Sequence, residues 1–258
     1  MKTKKLTFII FENIKTLIYA LLIAILIRSL LFQPFYIPSS SMEPTLLVGD
    51  RIFVSKYTYG YSKHSFPFSP NFSNKRFFSN NPKRGDLVVF KTPSDNRTDY
   101  IKRLIGLPGD TIQFINGDIF LNSKKIVREK AKYSNLIRCG DLNHKTNTYI
   151  ETLPNGVKYS TAYKIKGSLQ NTKIFKVPQN HFFLMGDNRD CSKDSRYLDS
   201  VGYVNNINLV GKAKIVFFSN DTNTNKLLKF WKLNESFRLN RLFKIFIFAF
   251  YILKIAMF

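Results

Sequence analysis

Seventeen consecutive residues, Thr16–Phe32 (TLIYALLIAILIRSLLF), carry one charge, on Arg28. That length is at the lower end of what a helix needs to cross the ~30 Å hydrocarbon core of a bilayer, and Asn13, Ile14 and Lys15 extend it. Lys2, Lys4 and Lys5 precede the run and acids are scarce around it. The positive-inside tendency therefore places the amino end in the cytoplasm and everything after Phe32 outside. Arg28 lies about a turn from the outer end, where it can snorkel to the headgroups. A cleaved leader and a buried core helix are the rival readings. A cleaved leader needs small residues at a cutting site, and RSLLFQPFYIP offers no such site, so an uncleaved anchor is expected.

Beyond the anchor the pattern changes to short apolar or alternating runs: Arg51–Lys56, Asp86–Lys91, Tyr100–Leu107, Thr111–Ile115, Asp118–Asn122, Val157–Ile165, Lys173–Val177, His181–Met185 and Leu209–Phe218. These read as strands, with Asn116-Gly117 and Asn155-Gly156 as type I′ hairpin signals. Tyr57–Pro82 is rich in Ser, Asn, Pro and aromatics without a period. It reads as a long loop, and its rings point to the interface of a nearby bilayer. The tail Leu242–Phe258 is nearly all apolar. Lys226, Lys229, Lys232, Arg238 and Arg241 precede it on the outer side, against the positive-inside tendency, so a tail lying in the interface is favoured over a second span.

The 258 residues are long enough for one or two domains with a real core. An aromatic content of 15% excludes a disordered chain, and two cysteines exclude a disulfide scaffold. No Cys/His cluster has zinc spacing. The net charge of +23 suits nucleic acid, an anionic membrane or a Lys-rich composition, and does not choose among them.

Three segments carry more Ser, Lys, Asp, Gly and Pro than packing needs: Phe35–Asp50 (FYIPSSSMEPTLLVGD), Asp99–Asp110 (DYIKRLIGLPGD) and Gly186–Arg196 (GDNRDCSKDSR). Each has a bland reading. The first is a linker, the second a strand with Lys102 facing water, the third a polar loop closed by Asp/Arg pairs. Yet alternation on a strand forces Lys102 or Arg103 onto an apolar face. Serine needs a base to act as a nucleophile, and none of His64, His144 and His181 has a motif around it. A desolvated lysine is the other solution, because burial favours its neutral amine.

Together these segments resemble the bacterial type I signal peptidases (leader peptidases). The serine box is Ile37–Leu46, the RGDxVxF box Arg84–Phe90, the lysine box Tyr100–Arg103 with Gly106–Asp110, and the GDNRDxSxDSR box Gly186–Arg196. The resemblance covers about Ile37–Phe218. It implies Ser41 as nucleophile, Lys102 as general base, and Ser39 with the Ser41 N–H as oxyanion donors. It also implies that Ser192 orients the lysine, that Asp187, Asp194, Arg196 and Arg103 are supporting charges, and that Ile37 and Ile101 line the substrate pocket. Cys191 departs from a position that is usually Asn. It and Cys139 read as free, with pairing left open by an oxidising compartment.

The implied fold is an all-β, mostly antiparallel catalytic domain behind an N-terminal transmembrane helix. The expected divisions are 1–33 as the basic end and anchor, 34–115 with 179–220 as the catalytic domain, 116–178 as a hairpin-rich insertion, and 221–258 as a basic linker and tail. The expected activity is signal-peptide cleavage after small-x-small sites, at the outer face of the bacterial cytoplasmic membrane. The expected partners are preprotein signal peptides and membrane lipid, with no nucleic acid, no cofactor and no metal. Two rivals stand beside it. A self-cleaving Ser-Lys repressor domain requires a DNA-binding module. A basic lipid- or RNA-binding protein has no need of Ser41, and its binding falls steeply with salt.

Overall fold

The computed structural model describes residues 2–71, 73–131, 136–140, 142–164, 170–220 and 237–245. Helix α1, Lys2–Leu30, has no Gly or Pro to interrupt it. Its apolar part, Ile10–Leu30, starts earlier than the sequence pattern indicated and is long and apolar enough to cross a membrane. Twenty-one residues at 1.5 Å rise span about the ~30 Å core. The helix stops before Gln33-Pro34, because proline disfavours helical geometry in the residue ahead of it.

Among the described residues the rest is β-structure. The strands are β1 (Phe32–Tyr36), β2 (Asp50–Ser55), β3 (Leu87–Lys91), β4 (Asp99–Gly106), β5 (Thr111–Ile115), β6 (Asp118–Leu121), β7 (Lys124–Lys125) and β8 (Val127–Lys130). They continue with β9 (Leu136–Cys139), β10 (Leu142–Thr152), β11 (Lys158–Lys164), β12 (Phe175–Lys176), β13 (His181–Met185), β14 (Val204–Asn205), β15 (Leu209–Ser219) and β16 (Lys244–Ile245). The main sheet runs β1-β2-β15-β3-β4-β13-β14, with β16 also on β15. Two smaller sheets, β12-β5-β6-β7 and β11-β10-β8 with β9 on β10, come from the middle of the chain. Every named strand pairing is antiparallel, so the catalytic region is all-β behind one apolar helix, as expected.

Each of the nine runs read from the sequence contains a strand. The eleven-residue β10 was not among them, because LNHKTNTYIET has little apolar alternation; its pairing with both β8 and β11 holds it extended. Asn116 and Gly117 both take positive φ, at 50° and 78°, as a type I′ turn requires. The second hairpin differs. Pro154 fixes a negative φ at the start of the loop, and of the Asn155-Gly156 pair only Gly156 is positive, at 82°. Leu153 N–H donates to the Val157 carbonyl and Gly156 N–H to that of Leu153, which closes a three-residue loop instead.

Strand β4 lies inside the main sheet, between β3 and β13. One core packs Ile37, Met42, Leu46, Ile52, Val54 and Val89 together, and another packs Tyr59, Phe90, Leu104 and Leu184. A third joins Ile105, Phe183 and Met185 to Ile112 and Phe114 of β5 and to Leu153, just past the end of β10.

The loop 57–82 is better fastened than its composition indicated. Arg76 donates to the carbonyls of Gly60, Asn206, Ile207 and Leu209, and the Tyr61 hydroxyl to that of Leu30 at the end of α1. Of the tail, Leu242–Ile245 is described, and Lys244–Ile245 pairs with β15 opposite Val216 and Ile215. Arg241 beside it donates to both carboxylate oxygens of Asp50, at 2.9 and 2.5 Å. The tail thus begins on the sheet. Residues 246–258, most of the expected interfacial segment, lie outside the described residues.

Candidate active site

Ser41 stands on a single 3₁₀ turn, Ser40–Met42, between β1 and β2. Met42 and Leu46 after it are fully buried and pin the turn to the core. Asn188 holds it from the other side. Its side chain donates to the Ser40 carbonyl at 3.0 Å and its N–H to the Ser41 carbonyl at 3.1 Å.

Lys102 comes from β4, opposite Val88 of β3. Both Lys102 and Arg103 are buried, so the water-facing reading of Lys102 does not hold. An interior strand with a packed core on each face has no wet side for either cation. Lys102 Nζ lies 2.6 Å from Ser41 Oγ and donates to the Ile101 carbonyl at 3.0 Å. Burial pulls its amine down from the ordinary 10.5 to about 8, although Asp194 and Asp187 oppose the shift.

Arg103 is matched where Lys102 is not. Its Nε and Nη2 donate to the two oxygens of Asp187 at 2.8 and 2.6 Å, and Nη1 to the Gly85 carbonyl at 2.8 Å. Gly85 has φ 94°, a conformation that favours glycine, and this aims its carbonyl inward. Burial alone would lower Arg103; the Asp187 carboxylate outweighs it and the guanidinium is raised. Asp194 accepts from Arg196 Nε and Nη2 at 2.7 and 2.8 Å and from Gly186 N–H at 2.8 Å. Burial would raise that carboxyl, but Arg196 holds it below its ordinary range.

Ser39 is exposed, with its Oγ 3.3 Å from Ser41 Oγ. Ser192 is buried in the same region, its hydroxyl against Gly186, where a Cβ would fall 2.1 Å from Ser192 Oγ and 2.5 Å from the Ser41 carbonyl. Glycine is required at 186 so that these two segments can close together. Among the described residues no hydrogen bond joins Ser192 Oγ to the Lys102 amine, which donates to the Ile101 carbonyl, while the Ser192 hydroxyl helps to lower the neighbouring Asp194 carboxyl.

A groove of about 420 Å³ opens beside Ser41 and Lys102, with Ile37, Ile52, Tyr100 and Ile101 among its walls. The arrangement offers a nucleophile, an adjacent lysine of lowered pKa and an apolar trough ending at both. That is equipment for acyl transfer.

Residues 10–218 match the family described as "Signal peptidase, peptidase S26". The chain belongs to the signal peptidase family S26. It is 42% identical to "Signal peptidase I" of Rickettsia typhi over 245 residues, 88% of this chain and 90% of that one. The identity to "Signal peptidase I" of Rickettsia canadensis is 42% over 249 residues, 89% of this chain and 91% of that one. Among solved structures, a signal peptidase I from Enterococcus faecalis shares 25% identity, covering 52% of this chain and 97% of that one, with a TM-score of 0.31. Membership of the signal peptidases makes this chain a peptidase of signal-peptide processing, and the apolar α1 fits a membrane-anchored protein.

The reading of the cysteines is corrected. Cys139 and Cys191 form a disulfide, with Cα atoms 5.4 Å apart, tying β9 to the segment that carries Ser192. Two further groups around this signal peptidase site escaped the sequence reading. One is Asn188, the clamp on the serine turn. The other is Arg189, which donates from Nη1 and Nη2 to Glu151 at 2.9 and 2.7 Å, deep in the protein. The density of charge in GDNRD was a signal for Arg189; nothing in the Asn/Lys-rich run around Glu151 identified its partner.

Proposed function

We propose that this chain is a membrane-anchored serine endopeptidase that removes signal peptides after small-x-small sites, with Ser41 as nucleophile and Lys102 as general base. The observation that carries the assignment is the 2.6 Å separation of Lys102 Nζ and Ser41 Oγ on a buried lysine whose pKa is drawn toward 8. The neutral amine accepts the Ser41 proton as Oγ attacks the scissile carbonyl. The oxyanion is met by the Ser41 N–H and the Ser39 hydroxyl. The Lys102 ammonium then gives its proton to the departing amine, leaving an acyl-enzyme on Ser41. Water, deprotonated by Lys102, attacks the ester and releases the signal peptide, restoring the Ser41 hydroxyl. Asp187, Asp194, Arg103 and Arg196 keep the two segments in register, and Ser192 packs beside the dyad.

Ile37 and Ile101 on the groove wall leave room for short side chains before the cut. The topology follows from α1 and the lysines ahead of it: amino end in the cytoplasm, catalytic domain on the outer face. The deciding experiment is cleavage of a purified preprotein by the wild type, Ser41→Ala and Ser40→Ala. Loss in the first variant and substantial retention in the second is expected; the reverse pattern refutes the assignment. Protease protection in sealed vesicles tests the topology, and a domain cut only from the cytoplasmic side overturns it.

A further inference from the structure

A second cavity, of about 510 Å³, lies beside the catalytic groove, with Phe35 and Asp99 bordering both. The last turn of α1, the segment around 63–69 and the turn around 95–97 enclose it. Five cations line it, Arg28, Lys56, Lys63, Lys91 and Arg97, against the carboxylates Asp95 and Asp99. Both carboxylates are engaged. Asp99 pairs with Lys91 at 2.9 Å, and Asp95 accepts from the Thr92 and Thr98 hydroxyls and from the N–H groups of Arg97 and Thr98.

None of the described carboxylates pairs with Arg28, Lys63 or Arg97. Lys56 is 2% exposed, and among the described residues its ammonium makes one hydrogen bond, to the Ser65 carbonyl. Burial and then the like charge of Arg28 lower that amine to about 8. His64, also buried on this cavity, binds Ser69 Oγ through Nδ1, and its Nε2 has no partner among the described residues. Lys63 Nζ reaches only the neutral side-chain oxygens of Asn71 and Asn74, at 3.5 and 3.4 Å. A buried ammonium beside three cations that no described carboxylate neutralises fits a missing anion.

The rim says what carries that anion. Arg28 is on the last turn of the apolar helix. Phe66, Pro67 and Phe68 stand at the mouth, and Phe68 is fully exposed on a backbone with φ 62°, followed by Ser69 at 49°. Two successive non-glycine residues in the left-handed region are uncommon, and here they hold an aromatic ring out of the protein. A dissolved ion has no use for such a ring at the end of an apolar helix; a lipid does.

We propose that this cavity binds the phosphate of an anionic phospholipid headgroup where α1 leaves the membrane, with Lys56 at its floor and Arg28, Lys63 and Arg97 around it. The proposal rests on the membrane-anchor reading above. A headgroup seated there sits next to the groove and sets the height of the catalytic site over the bilayer surface. Zwitterionic headgroups bring their own cation and fit the site less well.

The test uses the full chain in a neutral detergent, titrated with dihexanoyl phosphatidylglycerol, dihexanoyl phosphatidylcholine or inorganic phosphate, with the thermal midpoint as readout. Phosphatidylglycerol should raise the midpoint saturably. Half-saturation should need at least tenfold more lipid in Lys63→Gln/Arg97→Gln, whose side chains are at the surface, and in Lys56→Met. A shift that survives in both variants, an equal shift with phosphatidylcholine, or no shift overturns the site. Phosphate binding as tightly as the lipid overturns the lipid as its ligand. Flotation with phosphatidylcholine vesicles separates the two readings. A chain that does not float denies the anchor, whereas one that floats without a phosphatidylglycerol shift denies the cavity alone.

Discussion

Asp187 grips Arg103 with both carboxylate oxygens, at 2.8 and 2.6 Å, while none of the described carboxylates lies within ion-pair range of Lys102, one residue earlier. Adjacent cations on one buried strand thus have opposite fates. Arg103 is neutralised by its partner and kept charged, and Lys102 is left to lose its proton. Asp187→Ala should strand a buried guanidinium and cost about 3–5 kcal/mol. Denaturant unfolding reads this directly, and a loss below about 1 kcal/mol would mean that the pair is incidental.

Cleavage should rise with pH through about 8, as the Lys102 amine loses its proton. Lys102→Arg should be inactive, because guanidinium stays charged. The folded value of about 8 lies below the ordinary 10.5, so between them the unfolded chain binds more protons and stability rises with pH. The destabilisation is complete below the folded value and gone above the unfolded one. A shift of this size is on the order of 3 kcal/mol. Lys102→Met should therefore be inactive yet at least as stable as wild type at neutral pH. Lys56 is lowered to about 8 as well, so it is the difference between the two stability profiles that isolates Lys102. An active Lys102→Met would place the base elsewhere.

Removing the Cys139–Cys191 bridge, which closes a separation of 52 residues, should cost stability. Loop-closure entropy for that length is about 4 kcal/mol, with strain and residual structure reducing it. Cys139→Ser/Cys191→Ser should unfold at lower denaturant, and dithiothreitol should lower the wild type but not the double variant. Equal midpoints with and without reductant would remove any role in stability.

Ile101→Ala should widen the groove beside the dyad and admit a larger side chain before the cut. Pocket discrimination of about 1–3 kcal/mol per methylene predicts a 10- to 200-fold relative gain for such a substrate. Specificity constants for peptides with Ala or Leu at the first and third positions measure it. An unchanged ratio would show that Ile101 does not set the size limit.

How much of this was legible in advance varies by residue. The membrane-length helix depended on a predominantly apolar run of seventeen residues with one charge, which needed no knowledge of the fold. The serine, RGD, lysine and GDNRD boxes were readable because each is contiguous. The Asn116-Gly117 turn was readable too, because φ > 0 at both positions is a local property. At Asn155-Gly156 the same dipeptide misled, since Pro154 had already chosen the loop.

By itself, then, the sequence determined the local matters: the apolar helix, the strand-forming runs, and the residue types that a Ser-Lys site needs. Only the tertiary structure decided which of them meet. Ser41 and Lys102 are 61 positions apart, and Arg189 and Glu151 38 apart. Their contacts depend on strand register and loop closure, which no local pattern encodes. The same holds for the disulfide, which needs two Cα atoms 5.4 Å apart. It holds for the Lys102 amine as well. Alternation along β4 showed that one cation faces the core, but the burial of both follows from β4 lying inside the sheet, between β3 and β13, with packed side chains over both faces. That enclosure, a property of the assembled sheet, is what lowers the lysine's pKa and makes the dyad's chemistry available.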